Sequence, residues 1–365
     1  MDDVETRLLA ATRRVAADVL APRAAEVDAG QVPRSHLEAL AAAGVLGLHA
    51  PRSLGGAGAS PTVAREVEEI LAGADLSTWF VQVQHHHPVR ALVAAGFDEL
   101  LADLAAGRRV AGIALAHLRR PDPPVRAERD GGGWCLDGVA PWYTGWGLND
   151  VALVGAVTPA GEVLLALVPA RPGPGLVASA PLRTAALQAA VTVTLTFERH
   201  HLPGADVVGV RPYSQFAADD ARRTANAQPA VFGLAASALR LLERRGAERG
   251  ETEAVTAARR LADRLAEVRA EAYRLLDDVP PAELLDRRRE VRAHAHRILV
   301  DATTALVIAG AGGSMVAGAP AQRMAREALF LLVQAQTGQT RRAALRSWGS
   351  ASWGSAGEAG GLAPR

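Results

Sequence analysis

The hydrophobic pattern of this 365-residue chain changes its period twice, and that order limits the folds available to it. Apolar residues recur at helical spacing through the first 110 or so residues. Short alternating or continuous apolar runs follow, separated by Gly and Pro clusters, which is typical of antiparallel strands. The helical spacing then returns for most of the remaining chain. The pattern therefore predicts a mostly α protein with a β domain in its middle.

We predict three domains and a tail from these changes. Residues 1–110 form an N-terminal helical domain, and residues 111–212 form a small antiparallel β domain. Residues 213–346 form a C-terminal four-helix bundle. Residues 347–365, rich in Gly, Ser and Ala, form a flexible tail.

Individual elements are predicted from the same spacing. A helix covers most of residues 3–30, and a β-hairpin joins 150–158 to 162–169. Pro229 is expected to break or kink the first long helix of the bundle. The other bundle helices are predicted over 253–278, 281–311 and 321–346.

Composition excludes several classes of function. The chain has 40 basic and 39 acidic residues, so it lacks the basic excess typical of nucleic-acid-binding proteins. Every basic residue is Arg, which excludes lysine Schiff-base chemistry. Cys135 is the only cysteine, so no disulfide framework and no cysteine zinc site is predicted. The N-terminus is charged throughout, and we expect no uncharged run to reach the roughly 18 residues of a membrane span. The sequence therefore predicts a cytoplasmic protein without membrane contact.

Four collinear segments resemble one family. Residues 39–60 place a helix ending in Gly before a P-x-x-x-G-G-x-G loop, and residues 134–146 contain a strand and turn with Trp-x-Thr. Residues 195–209 resemble the strand and loop that leave a β domain, and residues 309–345 contain a Gly-rich turn and an Arg-acid-Ala step. In this order the segments resemble the acyl-CoA dehydrogenase superfamily. The resemblance implies its fold, FAD as cofactor, an acyl-CoA or related thioester as substrate, and a homo- or hetero-oligomer.

The resemblance assigns candidate cofactor residues. Trp142 and Thr144 match the family pair in which Trp stacks on the flavin ring and Thr donates toward its N5. A buried aromatic residue in a strand turn is the alternative for Trp142. Arg244 matches an Arg that pairs with the FAD diphosphate, or else it lies in solvent on an Arg-rich helix face. The family loop that caps the flavin is absent, because residues 116–124 are AHLRRPDPP.

The catalytic base of the family has no counterpart in this sequence. Seven residues after the Arg-acid-Ala step the family has Glu, and this chain has Ala335, which cannot accept a proton. A second family position for the base, on the first bundle helix, is Arg222. Asp220 and Arg223 keep the local Asp-x-x-Arg pattern and are candidate substrate-binding residues. No catalytic residue can be assigned.

Histidines are the remaining candidates. His85, His86 and His87 are consecutive on a predicted helix, so they point in different directions and cannot chelate one metal ion. Either His86 faces the acyl pocket as a polar or acid–base group, or the run is a capping or core cluster. His294 and His296 are predicted at the surface because residues two apart on a helix diverge.

Three functions stay open. The chain is the base-lacking subunit of a heteromeric dehydrogenase, whose Glu comes from a homologous subunit. Alternatively it is a flavin-dependent monooxygenase on the same fold, which needs no α-proton abstraction. The third interpretation is a flavin-free scaffold or binding subunit.

Overall fold

The computed structural model describes residues 2–349. Along the chain, a group of helices comes first, a sheet follows, and a second group of helices comes last. Most of the predicted tail, residues 350–365, lies outside the described residues. The N-terminal helices are α1 Asp3–Val15, α2 Ala21–Ala29, α3 Arg34–Ala42, α4 Pro61–Ala74, α5 Leu76–Ala95 and α6 Asp98–Ala105. The C-terminal helices are α7 Tyr213–Ala225, α8 Pro229–Arg249, α9 Thr252–Asp278, α10 Leu285–Gly310, α11 Pro320–Val333 and α12 Gly338–Gly349.

The first predicted helix is divided in the structure. Asp2 caps α1 through its carboxylate, which accepts a hydrogen bond from the Glu5 backbone N–H. A π-helical turn, Ala16–Leu20, separates α1 from α2. Pro22 lies in the first turn of α2, where its missing N–H cannot join the regular α-helical hydrogen-bond ladder. The wider turn therefore comes just before the proline.

The central sheet contains eight strands in the order β6-β7-β3-β2-β4-β5-β8, with β1 beside β4. The strands are β1 Ala111–Ala114, β2 Arg126–Asp130, β3 Gly133–Tyr143, β4 Val151–Val157, β5 Glu162–Pro169, β6 Leu176–Ala178, β7 Val193–Leu202 and β8 Val207–Pro212. The predicted hairpin is confirmed, because β4 and β5 pair antiparallel in register. The prediction of a wholly antiparallel sheet is wrong, since β1 runs parallel to β4 and β2 meets β4 in parallel.

A β-bulge interrupts β3 where it pairs with β7. Ala140 pairs with Leu195 and Tyr143 with Val193, so β3 contains one more residue than its partner over this interval. The extra residue bends the strand, and Trp142 takes a φ of 65°. That conformation is costly for a bulky side chain. The bulge thus turns Trp142 out of the regular strand alternation.

The bundle differs from the prediction at one end. Pro229 begins α8 after the chain leaves α7 at Ala225, which confirms the predicted break. The single helix predicted over 321–346 is wrong, because α11 ends at Val333 and α12 begins at Gly338. The backbone leaves the helix at Gln334, whose ψ is 131°, and Ala335 follows with a φ of 51°.

One hydrophobic core joins the N-terminal helices to the C-terminal bundle. It includes Leu71 of α4, Val231 of α8 and Leu299 of α10, all fully buried. The sheet encloses a separate core that includes Leu136 and Phe197. The N-terminal helices and the C-terminal bundle therefore stabilise each other through one shared core. The division of the chain into three domains stays a prediction.

One helix of the bundle meets the length and composition of a membrane span. The prediction that no uncharged run is long enough is wrong, because residues 302–322 contain no Asp, Glu, Lys or Arg. The apolar segment Leu285–Met315 has 33% of its most hydropathic window buried. Most of this segment is α10, which packs against α8, α9, α11 and α12 as a bundle helix. One such helix is weak evidence for a membrane span, since core helices pass the same test.

The crossing of α4 and α8 requires glycine. A Cβ on Gly233 would lie 2.1 Å from the Glu69 carbonyl oxygen, and one on Gly73 would lie 2.8 Å from the Gly233 carbonyl oxygen.

We predict that Gly233→Ala lowers the free energy of unfolding by about 3 kcal/mol, because the helices must separate. Chemical denaturation measures the loss. Gly209→Ala, with open space around its Cβ, is the matched control, and equal losses in both variants would contradict the prediction.

Candidate functional site

A buried carboxylate connects the sheet to the bundle. Asp220 on α7 accepts two hydrogen bonds from Arg119, at 2.7 and 2.9 Å, and a third from Arg223 at 2.6 Å. Burial opposes ionisation of Asp220, but the two guanidinium groups hold its pKa below the ordinary value. Arg223 also donates to His87 Nδ1 on α5 at 2.9 Å. These ion pairs bring together Asp220 and Arg223, two of the predicted substrate residues.

The third predicted substrate residue, His86, lies in the interior. Its side chain is 1% exposed, contacts the Gln82 amide and packs edge-on against His49, with ring centroids 4.7 Å apart. Burial and the neighbouring His49 and His85 lower its pKa well below the ordinary value, so the ring is neutral at physiological pH. Buried nitrogen atoms of His49 and His86 have no hydrogen-bond partner among the described residues.

Glu68 and Arg90 add charged groups to this region that the sequence analysis missed. Glu68 on α4 is partly exposed, yet burial raises its pKa to about 7, opposed by the positive charge of Arg90 on α5. A carboxyl group with a pKa near neutrality can exchange a proton at physiological pH. No motif marks Glu68, because the VEE sequence fits an ordinary amphipathic helix. Only the packing of α4 against α5 identifies it.

The candidate flavin residues lie at the end of β3. Trp142 is 58% exposed despite its size and its strained backbone, so its ring is available to stack on a planar ligand. Thr144 is 3% exposed, and its hydroxyl lies 3.1 Å from the Thr192 hydroxyl. Asn149 holds this turn by donating to the Thr144 carbonyl oxygen at 2.9 Å. The alternative interpretation, a buried aromatic residue in a strand turn, is wrong for Trp142, whereas its stacking on flavin stays a prediction.

Arg244 lies on α8 with its side chain 66% exposed. Its ion pair with Glu248 is long, at 3.9 Å, so the guanidinium keeps most of its hydrogen-bonding capacity. Both interpretations, diphosphate contact and solvated helix face, agree with this position.

The expected base position lies in the connection between α11 and α12. Ala335 follows Gln334, whose carbonyl oxygen accepts a hydrogen bond of 2.8 Å from Arg292 on α10. Arg292 also donates to the Thr224 carbonyl oxygen at the end of α7, at 2.9 Å. The Arg292 guanidinium thereby connects the C-terminal end of α7 to the α11–α12 connection. The side chain of residue 335 in that connection is a methyl group.

The predicted surface positions of His294 and His296 are wrong. Their side chains are 8% and 3% exposed, because this part of α10 packs against the other helices of the bundle. His200 and His201 differ, since both remain partly or fully exposed at the end of β7.

A second buried group of charges joins α11 to the N-terminal helices. Glu327, 2% exposed, accepts a hydrogen bond of 2.7 Å from Arg323. Burial raises the pKa of Glu327 to about 7, although Arg323 opposes the shift, and Asp75 adds to it. Arg326, from the Arg-acid-Ala step, pairs with Asp28 of α2 and donates to the Ala185 carbonyl oxygen. The step therefore attaches α11 to the N-terminal helices and to the loop before β7.

Known proteins share this arrangement of helices, sheet and helices. The family profile described as "Acyl-CoA dehydrogenase, N-terminal domain" matches residues 2–106. A probable acyl-CoA dehydrogenase of Mycobacterium leprae is 28% identical over 221 residues, and the match covers 57% of each chain. The chain thus aligns with little more than half the length of this curated relative.

Solved structures match nearly the whole chain. A glutaryl-CoA dehydrogenase from Mycobacterium smegmatis in complex with FADH2 has a TM-score of 0.76 at 21% identity, covering 96% of this chain and 95% of that one. The nitrososynthase from Micromonospora carbonacea has a TM-score of 0.77 at 20% identity, covering 95% and 96%. The fold is therefore that of acyl-CoA dehydrogenases. The N-terminal profile and the sequence relative add a similarity to acyl-CoA dehydrogenases over part of the chain.

Glu327 gives the fold a specific pH dependence. Its folded pKa of about 7 exceeds its ordinary value of 4.5, so the folded state binds the proton more tightly. This contribution is present below about pH 4.5 and is lost as pH rises through 7. We predict that Glu327→Gln flattens the decline in unfolding free energy between pH 5 and 7.5, by the order of 1–3 kcal/mol.

Denaturant unfolding at a series of pH values measures this effect. Glu253→Gln, at an exposed position on α9, is the control and should keep the wild-type slope. Glu68 titrates in every variant and so cancels in the comparison. A Glu327→Gln slope equal to that of wild type would contradict the prediction.

Proposed function

We propose that this protein binds FAD and acts as an oxidoreductase-type protein on an acyl-CoA or a related thioester. The observation that carries the proposal is Trp142. A bulky aromatic residue at a φ of 65° and 58% exposed costs stability, and such strain persists where function requires it. A planar isoalloxazine ring would cover the indole. FAD would supply hydride acceptance, while the chain supplies binding and orientation.

The chain's other candidate flavin contacts fit in part. Thr144 is held rigidly beside Trp142 by Thr192 and Asn149, so its hydroxyl has a fixed position for a donor role. Arg244 has an exposed guanidinium suited to a diphosphate. The segment that includes Arg119 pairs with Asp220 instead of providing the polar family capping loop.

We infer that the chain does not carry out ordinary dehydrogenation by itself. Abstraction of an α proton needs a base of suitable pKa within hydrogen-bond reach. Ala335 offers a methyl group at the expected position, and Asp220 is a poor base because its three hydrogen bonds stabilise the carboxylate. We therefore favour a base-lacking subunit whose homologous partner contributes Glu.

An exposed apolar surface supports an oligomer. At the end of α10, just after it and on α11, five apolar residues are 60% to 72% exposed: Ile308, Met315, Val316, Leu329 and Val333. Exposed apolar side chains on neighbouring elements are typical of contact surfaces. A homologous subunit with a matching apolar surface is the occupant that the heteromer requires, and we place the assembly in the cytoplasm.

A flavin-dependent monooxygenase is the second candidate. The missing base favours it, because oxygen transfer needs no α-proton abstraction, and the similar fold of the nitrososynthase is compatible with it. NAD(P)H-reductase-dependent oxygen uptake by the purified chain would support this candidate. A colourless protein under excess FAD would favour the scaffold alternative instead.

Flavin binding is tested by absorbance near 450 nm after reconstitution with FAD. We predict a yellow protein, and an FAD affinity at least tenfold weaker in Trp142→Ala because ring stacking is lost. Trp348→Ala is the control, since Trp348 is half-exposed on α12 and stacks under Arg297. Equal affinity in all three proteins would contradict the role of Trp142.

The role of Ala335 is tested with an artificial electron acceptor. We predict negligible acyl-CoA dehydrogenation by the isolated chain, because no base lies at this position. Activity should appear when a Glu-bearing homologue co-purifies with it, and Ala335→Glu should exceed its matched control Ala335→Gln. Robust turnover by the wild-type homomer would overturn the proposal.

A further inference from the structure

Arg292 is a buried cation without a matching anion. Its side chain is 3% exposed and donates only to backbone carbonyl oxygens, those of Thr224, Asn226 and Gln334. Among the described residues, no carboxylate forms an ion pair with it. Removing a charge from water is costly unless an opposite charge compensates it. The bundle therefore contains an uncompensated positive charge next to the connection that carries Ala335.

A small cavity lies beside this guanidinium. It is lined by residues of α10 and α11, of the connection after α11, and of α12: Arg289, Arg292, Ala293, His296, Leu332, Gln336, Thr340 and Ala344. The space open to the centre of a water-sized group is about 10 Å³, and the cavity is partly open to solvent. The cavity thus accepts a single water molecule or small ion and is too small for a metabolite.

His296 contributes an unused polar atom to the same cavity. The side chain is 3% exposed, and its Nε2 has no hydrogen-bond partner among the described residues. Arg292 and His296 are one helical turn apart on α10, so their side chains lie on one face. A neutral imidazole can donate from Nε2, which gives the cavity a second donor.

The charges around the cavity favour an anion. Arg289 lines the cavity and pairs with Asp286 outside it, and the positive charge of Arg119, itself paired with Asp220, acts on Arg292. Burial and Arg119 lower the pKa of Arg292 to about 10, so the guanidinium remains charged at physiological pH. No carboxylate lines the cavity.

We propose that Arg292 and His296 bind a small monovalent anion of halide size in this cavity. The anion supplies the negative charge that the chain does not place next to Arg292. It stabilises the joint of α7, α10 and the 334–337 connection, and it is independent of flavin or thioester binding. Sodium bromide is the probe, because bromide scatters anomalously and resembles chloride in charge and size.

Two measurements test the proposal on the full chain. In crystals grown with sodium bromide, we expect an anomalous peak between Arg292 and His296. In solution, the unfolding midpoint should rise by about 2–4 °C as bromide replaces nitrate, an anion with a similar general effect on protein stability but too large for the cavity, at constant ionic strength. A missing peak would overturn the proposal. So would a peak without a shift of the midpoint, which would indicate an adventitious ion only.

Variants separate binding from general salt effects. Ala344→Leu fills the cavity from α12 and leaves Arg292 in place, so it should lose the peak and at least tenfold in bromide affinity. Ala344→Ser keeps the cavity open and should behave as wild type. Arg292→Met should also abolish the shift. Because Met at 292 removes several backbone contacts, the Ala344 pair decides the outcome, and a shift retained in Ala344→Leu would contradict the site.

Discussion

The structure depends on the close contact between α4 and α8. At Gly73 and Gly233 the two helices approach so nearly that a methyl group on either would meet the backbone of the other. This contact merges the N-terminal helices with the bundle into one core, and the sheet attaches to it from the side. Because α5 follows α4 directly, the same contact sets the position of His86, His87 and Glu68 relative to α7.

Buried Arg side chains then hold the places where helices break. Arg292 connects the end of α7 to the α11–α12 connection, and Arg288 donates to the Asn226 side chain and to carbonyl oxygens near Val279. Arg326 ties α11 to Asp28 and to the loop before β7. Guanidinium groups suit this role because their planar fork reaches several acceptors at once. The region that in the family carries a base is here organised around positive charge.

This organisation agrees with the proposed function, a flavin-binding protein that has no base of its own for proton abstraction. Strain at Trp142 keeps an indole exposed, while the paired Asp220 and the methyl of Ala335 leave no strong base at the expected positions. Glu68 has a raised pKa but lies on α4, an element that carries neither family base position. The proposed heteromer, in which a homologous subunit supplies the base, is compatible with this arrangement and with the exposed apolar residues of the bundle.

The sequence by itself determined the order of helices and strands, the β4–β5 hairpin, the break at Pro229 and the resemblance to acyl-CoA dehydrogenases, since these follow from local periodicity and from residue order. It did not predict the break at Gln334–Thr337, because Ala335 is an ordinary helix former and the turn depends on Arg292 from another helix. Burial of His294 and His296, the pKa of Glu68 and the exposure of Trp142 were likewise decided by tertiary structure. Each depends on which elements pack together, and local pattern carries no information about partners distant in the chain.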